Sequence, residues 1–186
     1  MSDGRPSDRP SAQEMTVPHA SLSRDIRIGH VHLRVADLER STAFYRDVLG
    51  FRVTIDGPAV GVPAVFLATG DYHHHIALNT FGGPGAPPVP AGHSGLYRFA
   101  LLYPGPLALA DAVARLYHHR YPISDASDHG ISVSLYLRDP DGNGVELYCD
   151  RPRSYWFDEA GRPIVKSEPF DPLDLLQVLL SWPEAA

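Results

Sequence analysis

The sequence predicts an α+β fold: two tandem βαβββ modules forming an open, curved sheet that lines a cleft, followed by a C-terminal helical tail. Three observations predict it. A run of strict apolar/polar alternation leads directly into a capped amphipathic stretch and then into three short apolar runs. After a Gly- and Pro-rich joint the same pattern restarts. Matching landmarks of the two halves lie at nearly constant separation: His30 and Arg98 are 68 positions apart, and Ala77 and Glu146 are 69 apart.

The first strand is read over 28–35. Val31, Leu33 and Val35 alternate with His30, His32 and Arg34, giving one apolar and one polar face. Asp37 is the N-cap of the helix that follows. Leu38, Phe44, Tyr45, Val48 and Leu49 form its stripe, and Gly50 supplies a left-handed stop. Strands are expected over 51–55, 64–68 and 74–79. Residues 82–92 are too rich in Gly and Pro to form an element. The second half predicts a strand over 96–103, a helix over 107–117 with Leu109, Val113 and Leu116 on one stripe, and short strands at 122–123, 132–137 and 145–149. Asp139-Pro-Asp-Gly-Asn-Gly144 forms a turn between the last two. Residues 171–182 read as an amphipathic helix that docks on the body, on a partner subunit or across the cleft mouth, with plain docking preferred. The expected organisation is an arm over 1–25, one domain over 26–155 with modules at about 26–81 and 93–150, and a tail over 156–186.

Composition narrows the function classes. Of 186 residues 44% are apolar and the net charge is −6, without a Lys/Arg cluster, so nucleic acid has no electrostatic footprint. No apolar run reaches the length of a membrane span. The polar, Pro-rich first residues lack an apolar h-region and read as a disordered arm rather than a signal peptide. Cys149 is the single cysteine, which excludes an internal disulfide and agrees with a cytoplasmic protein; it reads as a strand-end thiol without a role. The 10 histidines are roughly twice ordinary usage, and five fall in two short stretches, at His30 and His32 and at His73, His74 and His75. No nucleophile elbow and no phosphate-binding Gly loop is present.

Four segments carry a family resemblance. Residues 29–51 (Gly-His-Val-His-Leu-Arg-Val-Ala-Asp-Leu through Leu-Gly-Phe), 72–80 (Tyr-His-His-His-Ile-Ala-Leu-Asn-Thr), 95–100 (Gly-Leu-Tyr-Arg-Phe-Ala) and 139–148 (Asp-Pro-Asp-Gly-Asn-Gly-Val-Glu-Leu-Tyr) resemble vicinal-oxygen-chelate proteins, in particular the short, one-domain catechol 2,3-dioxygenase-like branch. The resemblance covers roughly residues 26–155, and the tail is also similar to tails in that branch. It implies Fe(II) or Mn(II) held by two His and one Glu, with open positions for a catechol and O2. His30 matches the first ligand and Glu146 the carboxylate. His75 matches an acid–base histidine, Tyr136 the tyrosine that hydrogen-bonds the substrate, and His129 a loop histidine near it. Asn79 and Tyr148 are read as further pocket lining that contacts the ligand.

The second histidine ligand is replaced. Where the motif usually reads Gly-Leu-Tyr-His, this chain has Arg98. A guanidinium offers no lone pair, stays charged, and repels a cation. His32 does not rescue the site, because it lies about 7 Å further along the strand than His30. An ion pair between Arg98 and Glu146 is therefore expected in the vacated position. Two readings stand: an extradiol-type dioxygenase acting on a small aromatic diol, or a metal-free member in which Arg98 holds a small anionic or aromatic ligand. The exposed module edges and Leu-rich tail are compatible with a homodimer.

Overall fold

In the computed structural model the described residues are 25–90 and 92–181, so the arm expected over 1–25 lies outside them except for Asp25. Two sheets carry the fold. The first contains β1 (Val31–Arg34), β2 (Arg52–Asp56), β3 (Ala64–Ala68) and β4 (Ile76–Asn79), with α1 (Leu38–Ala43) between β1 and β2. The second contains β5 (Phe99–Tyr103), β6 (Asp125–Asp128), β7 (Ser132–Arg138) and β8 (Gly144–Asp150), with α2 (Pro106–His118) between β5 and β6. The strand orders are β1-β4-β3-β2 and β5-β8-β7-β6, so the duplication read from landmark spacing is repeated in topology. In each sheet the first strand pairs in parallel with the last and the other pairs are antiparallel. The tail adds β9 (Glu168–Pro169) to the free edge of β6 and ends in α3 (Pro172–Ser181).

Local chemistry explains the elements. The Asp37 carboxylate accepts the Arg40 amide at 3.0 Å, as an N-cap does. Gly50, at φ 84°, makes the left-handed stop. Between them α1 widens into a π-helical turn over Phe44–Val48, closed by the Leu49 amide donating to the Phe44 carbonyl. Consecutive Phe44 and Tyr45 side chains are both buried there. In α2, Leu109, Val113 and Leu116 are fully buried, as their spacing predicts. The strand expected at 122–123 forms instead at Asp125–Asp128. Pro122 has no amide to donate, and the ladder is entered only where the Ser124 amide meets the Tyr136 carbonyl.

One core serves both modules. Leu33, Val35, Tyr45, Leu67 and Leu78 from the first join Leu109, Val113, Leu135 and Leu147 from the second in a single cluster. Each such side chain contributes on the order of 1.5–3 kcal/mol on burial. The turn after β7 is also a joint between modules. The Asp139 carboxylate accepts the buried Tyr45 hydroxyl at 2.8 Å and the Asn143 amide, while Asp141 accepts the Ala36 amide, the Ser41 hydroxyl and the Arg40 guanidinium. Burial and the neighbouring Asp139 push the Tyr45 hydroxyl well above the ordinary phenol range, so it stays a donor.

Candidate functional site

The polar face of the second sheet assembles one network. Register places Tyr136 of β7 opposite Glu146 of β8, and Glu146 opposite Ala100 of β5. Arg98 stands just before β5. It is held close by Gly144, where an added Cβ would lie 2.6 Å from the Tyr97 carbonyl oxygen and 2.8 Å from the Arg98 Cβ. Arg98 Nε donates to Glu146 Oε2 at 2.8 Å, and the guanidinium carbon lies 4.6 Å from the centre of the Tyr136 ring and 5.2 Å from that of Tyr97. The Glu146 side chain is 14% exposed and that of Arg98 37%. The ion pair expected from the sequence is thus formed, and the Arg98 side chain stays partly exposed.

Tyr136 continues the network. Its hydroxyl is 2.6 Å from His129 Nε2, and His129 Nδ1 is 3.0 Å from the Lys166 carbonyl oxygen. A carbonyl only accepts, so neutral His129 carries its proton on Nδ1 and Tyr136 donates to the bare Nε2. Burial, and then the Glu146 carboxylate, push the Tyr136 hydroxyl above the ordinary phenol range and keep it protonated. These side chains border a cavity of about 360 Å³ that Arg98, Tyr136, His129, Ser127, Asp125 and Ser167 help to line.

A second and wider cavity of about 1060 Å³ separates the edge strands β1 and β5. His30, His75, Leu49, Phe51, Leu102 and Tyr148 line it, and Arg98 borders both cavities. His75 Nδ1 accepts the Thr69 amide at 3.3 Å, and its ring lies 4.7 Å from that of Tyr72. Burial, with help from His73 and Arg27, holds His75 below the ordinary imidazole range, so it is neutral near pH 7. The His74 ring lies 4.5 Å from the His30 ring, against Phe66 and His73. The Asn79 side-chain oxygen accepts the Phe81 amide at 3.0 Å, and the residue is buried.

The residues present do not fit the metal the resemblance implies. Among the described residues no three His, Cys, Asp or Glu side chains are grouped to hold an ion. Glu146 is engaged by Arg98, and His30 is engaged with His74. His32 packs between Phe66 and Phe81 and does not join His30. The sequence reading missed two features. One is the tail's carbonyl on His129, which no side-chain pattern announces. The other is the role of Asp139 and Asp141 as a joint, which their turn motif conceals.

Paired βαβββ sheets of identical order, each with a polar face beside a cleft, define the class of vicinal-oxygen-chelate folds. The chain belongs to the glyoxalase/bleomycin resistance protein/dioxygenase superfamily, whose family model matches residues 27–147. It is 38% identical over 159 residues to a catechol-2,3-dioxygenase of Bacillus subtilis (strain 168), covering 84% of this chain and 53% of that protein. It is 36% identical to biphenyl-2,3-diol 1,2-dioxygenase 3 of Rhodococcus globerulus, covering 67% of this chain and 63% of that one. The chain therefore spans between half and two thirds of the length of these relatives. Among solved structures, a glyoxalase/dioxygenase from Nostoc punctiforme shares the fold, with a TM-score of 0.58 at 21% identity over 72% of this chain and 97% of that chain.

Proposed function

We propose that the chain is a dioxygenase-like member of the superfamily that binds a small aromatic diol as its monoanion in the second-module cavity, with the Arg98–Glu146 pair standing where relatives would hold a metal. The observation that carries this reading is the 2.8 Å bond from Arg98 Nε to Glu146 Oε2. It neutralises the carboxylate and leaves the guanidinium's terminal N–H groups for a ligand oxyanion. The about 360 Å³ cavity suits one ring.

The network then moves one proton. A diol hydroxyl donates to the Tyr136 oxygen, Tyr136 donates to His129 Nε2, and His129 Nδ1–H donates to the Lys166 carbonyl. His129 takes the proton through Tyr136, and the resulting oxyanion pairs with Arg98. Tyr136 itself stays neutral for the reasons given above. His75, on the first module, lines the wider cavity and is assigned no part in the step.

The test is calorimetric titration of metal-depleted protein with catechol, with Arg98→Ala alongside. Loss of a charge-assisted hydrogen bond predicts about 10- to 100-fold weaker binding in the variant. A second reading, extradiol ring cleavage with Fe(II) or Mn(II), is favoured by the 38% identity to a catechol-2,3-dioxygenase. It predicts about one tightly held metal per chain, and oxygen uptake with a yellow product on adding catechol.

A further inference from the structure

We propose that the C-terminal segment is a working part of the site, the Lys166 carbonyl acting as a positioning group that fixes His129 in the Nδ1–H tautomer and so aims Nε2 at Tyr136. The reading of diol binding above is assumed only where the ligand is concerned; the tautomer stands on geometry alone.

The segment is anchored on both sides of that carbonyl. Upstream, Trp156 Nε1 donates to the Arg151 carbonyl at 2.8 Å, the Ile164 amide donates to the Trp156 carbonyl, and Phe157 bridges Pro163. Downstream, β9 pairs with β6, the Phe170 amide donates to the Ala126 carbonyl, and Leu175 of α3 is buried. Between these anchors, Lys166 Nζ lies 3.5 Å from Asp128 and 2.8 Å from Glu168, while Arg151 donates to the same Asp128 carboxylate at 2.8 Å. Gly130 lets the segment come close: at φ 79° it already excludes most side chains, and an added Cβ would stand 2.8 Å from Ile164 Cγ2.

Plain docking needs only the apolar helix and the β9 ladder. It does not need a carbonyl 3.0 Å from a ring nitrogen whose other nitrogen holds a tyrosine hydroxyl. Without a partner on Nδ1, imidazole in water exchanges between two tautomers, and in the Nε2–H form His129 would donate to Tyr136 rather than accept. Tyr136 would then turn its proton toward the cavity and meet a diol as a donor first, with one of its lone pairs already taken by His129. The tail thus decides whether the cavity presents an acceptor or a donor at Tyr136, and with it whether the site prefers hydroxylated ligands.

The experiment is on the full chain. Nitrogen-15 histidine labelling at pH 8, above the ordinary imidazole value of about 6.5, reads the His129 tautomer directly. The expected result is a proton on Nδ1; an Nε2–H or an averaged ring overturns the proposal. A backbone ester replacing the Ser167 amide weakens the Lys166 carbonyl as an acceptor without altering a side chain. It is expected to lower catechol affinity about three- to tenfold while leaving benzoate, which needs Arg98 alone, within about twofold of its parent value. Equal losses for both ligands overturn the positioning role, because general loosening of the tail affects both. Gly130→Ala, which pushes the segment away, is expected to give the same selective loss together with tautomer averaging; retention of the Nδ1–H form in it overturns the role of the segment. A fixed Nδ1–H tautomer in protein that binds no catechol sustains the positioning and refutes the diol reading, so the two fail separately.

Discussion

Replacing Arg98 with alanine tests the centre of the reading. Two unit charges about 4 Å apart at an effective dielectric near 20 attract by about 4 kcal/mol before desolvation. Most of that is returned, because Glu146 is largely withdrawn from water, its side chain being 14% exposed, while Arg98 at 37% is still partly solvated. A hydrogen bond to a charged group retains about 1.5–3 kcal/mol net, and exposure of Arg98 places this one at the lower end. The stacked Tyr136, 4.6 Å from the guanidinium carbon, adds about 0.5–1 kcal/mol. The expected loss is therefore about 2 kcal/mol, or roughly 4–8 °C in Tm at 2–4 °C per kcal/mol for a chain of this size. Thermal unfolding by circular dichroism in chelator-treated buffer measures it, and a double-mutant cycle with Glu146→Gln isolates a coupling of about 1 kcal/mol or more. An unchanged Tm would refute the pairing. So would a parent protein whose Tm falls on chelation, since the carboxylate would then be held by a metal.

Three further outcomes follow from the same structure. Arg98→His removes the like charge beside Glu146 and supplies an imidazole, so Mn(II) at 100 times its Kd should stabilise the variant by about 2.7 kcal/mol and the parent not at all, as melts with and without Mn(II) will show. Tyr45→Phe leaves the buried Asp139 carboxylate one donor short at the module joint and should cost about 1–2 kcal/mol in urea unfolding without changing ligand affinity. At Asp128 burial alone would raise the carboxyl, but the Gly130 amide, Arg151 and Lys166 outweigh it and hold the pKa below the usual 3.8. The folded protein then binds fewer protons there than the unfolded chain. That contribution to stability is present above 3.8 and is lost as pH falls through the lower folded value. Acid unfolding followed by tryptophan fluorescence should lose this component in Asp128→Asn.

What was legible in the sequence was what a single face or cap determines. Alternation marked β1, Asp37 and Gly50 marked the limits of the helical stretch, and the stripe of α2 marked its buried face. The strand β6 was misplaced because Asp-Ala-Ser-Asp carries no apolar alternation; its pairing comes from β7 and β9, not from its own pattern. In the site, the Arg98–Glu146 pair was legible because a substitution at a ligand position leaves a carboxylate needing a partner. Alternation sets His75 and His74 apart, yet sequence could not tell that His75 lines the wider cavity while Tyr136 lines the smaller one. That separation depends on how two sheets are set against each other, which no local period records. The Lys166 carbonyl was invisible for a similar reason: any residue supplies one, and only the tail's path brings this one to His129.

The duplicated modules explain why the site stands in one sheet and not the other. Both sheets have the same strand order, and each offers a polar face beside the wide cavity. In the first, the position matching Glu146 is buried Ala77, and the histidines pack on one another: His30 on His74, and His74 on His73. No carboxylate in that sheet's centre draws a cation or a guanidinium. In the second, Glu146 draws Arg98, and Tyr136 beside it draws His129. The outer edges differ too. The first sheet ends at β2 among the described residues, while β6 of the second continues into β9. The tail can pair with only one of the two edges, and the edge it takes is the one whose loop carries His129. Duplication supplied two similar faces; a carboxylate on one strand and a tail on one edge made only the second of them a site.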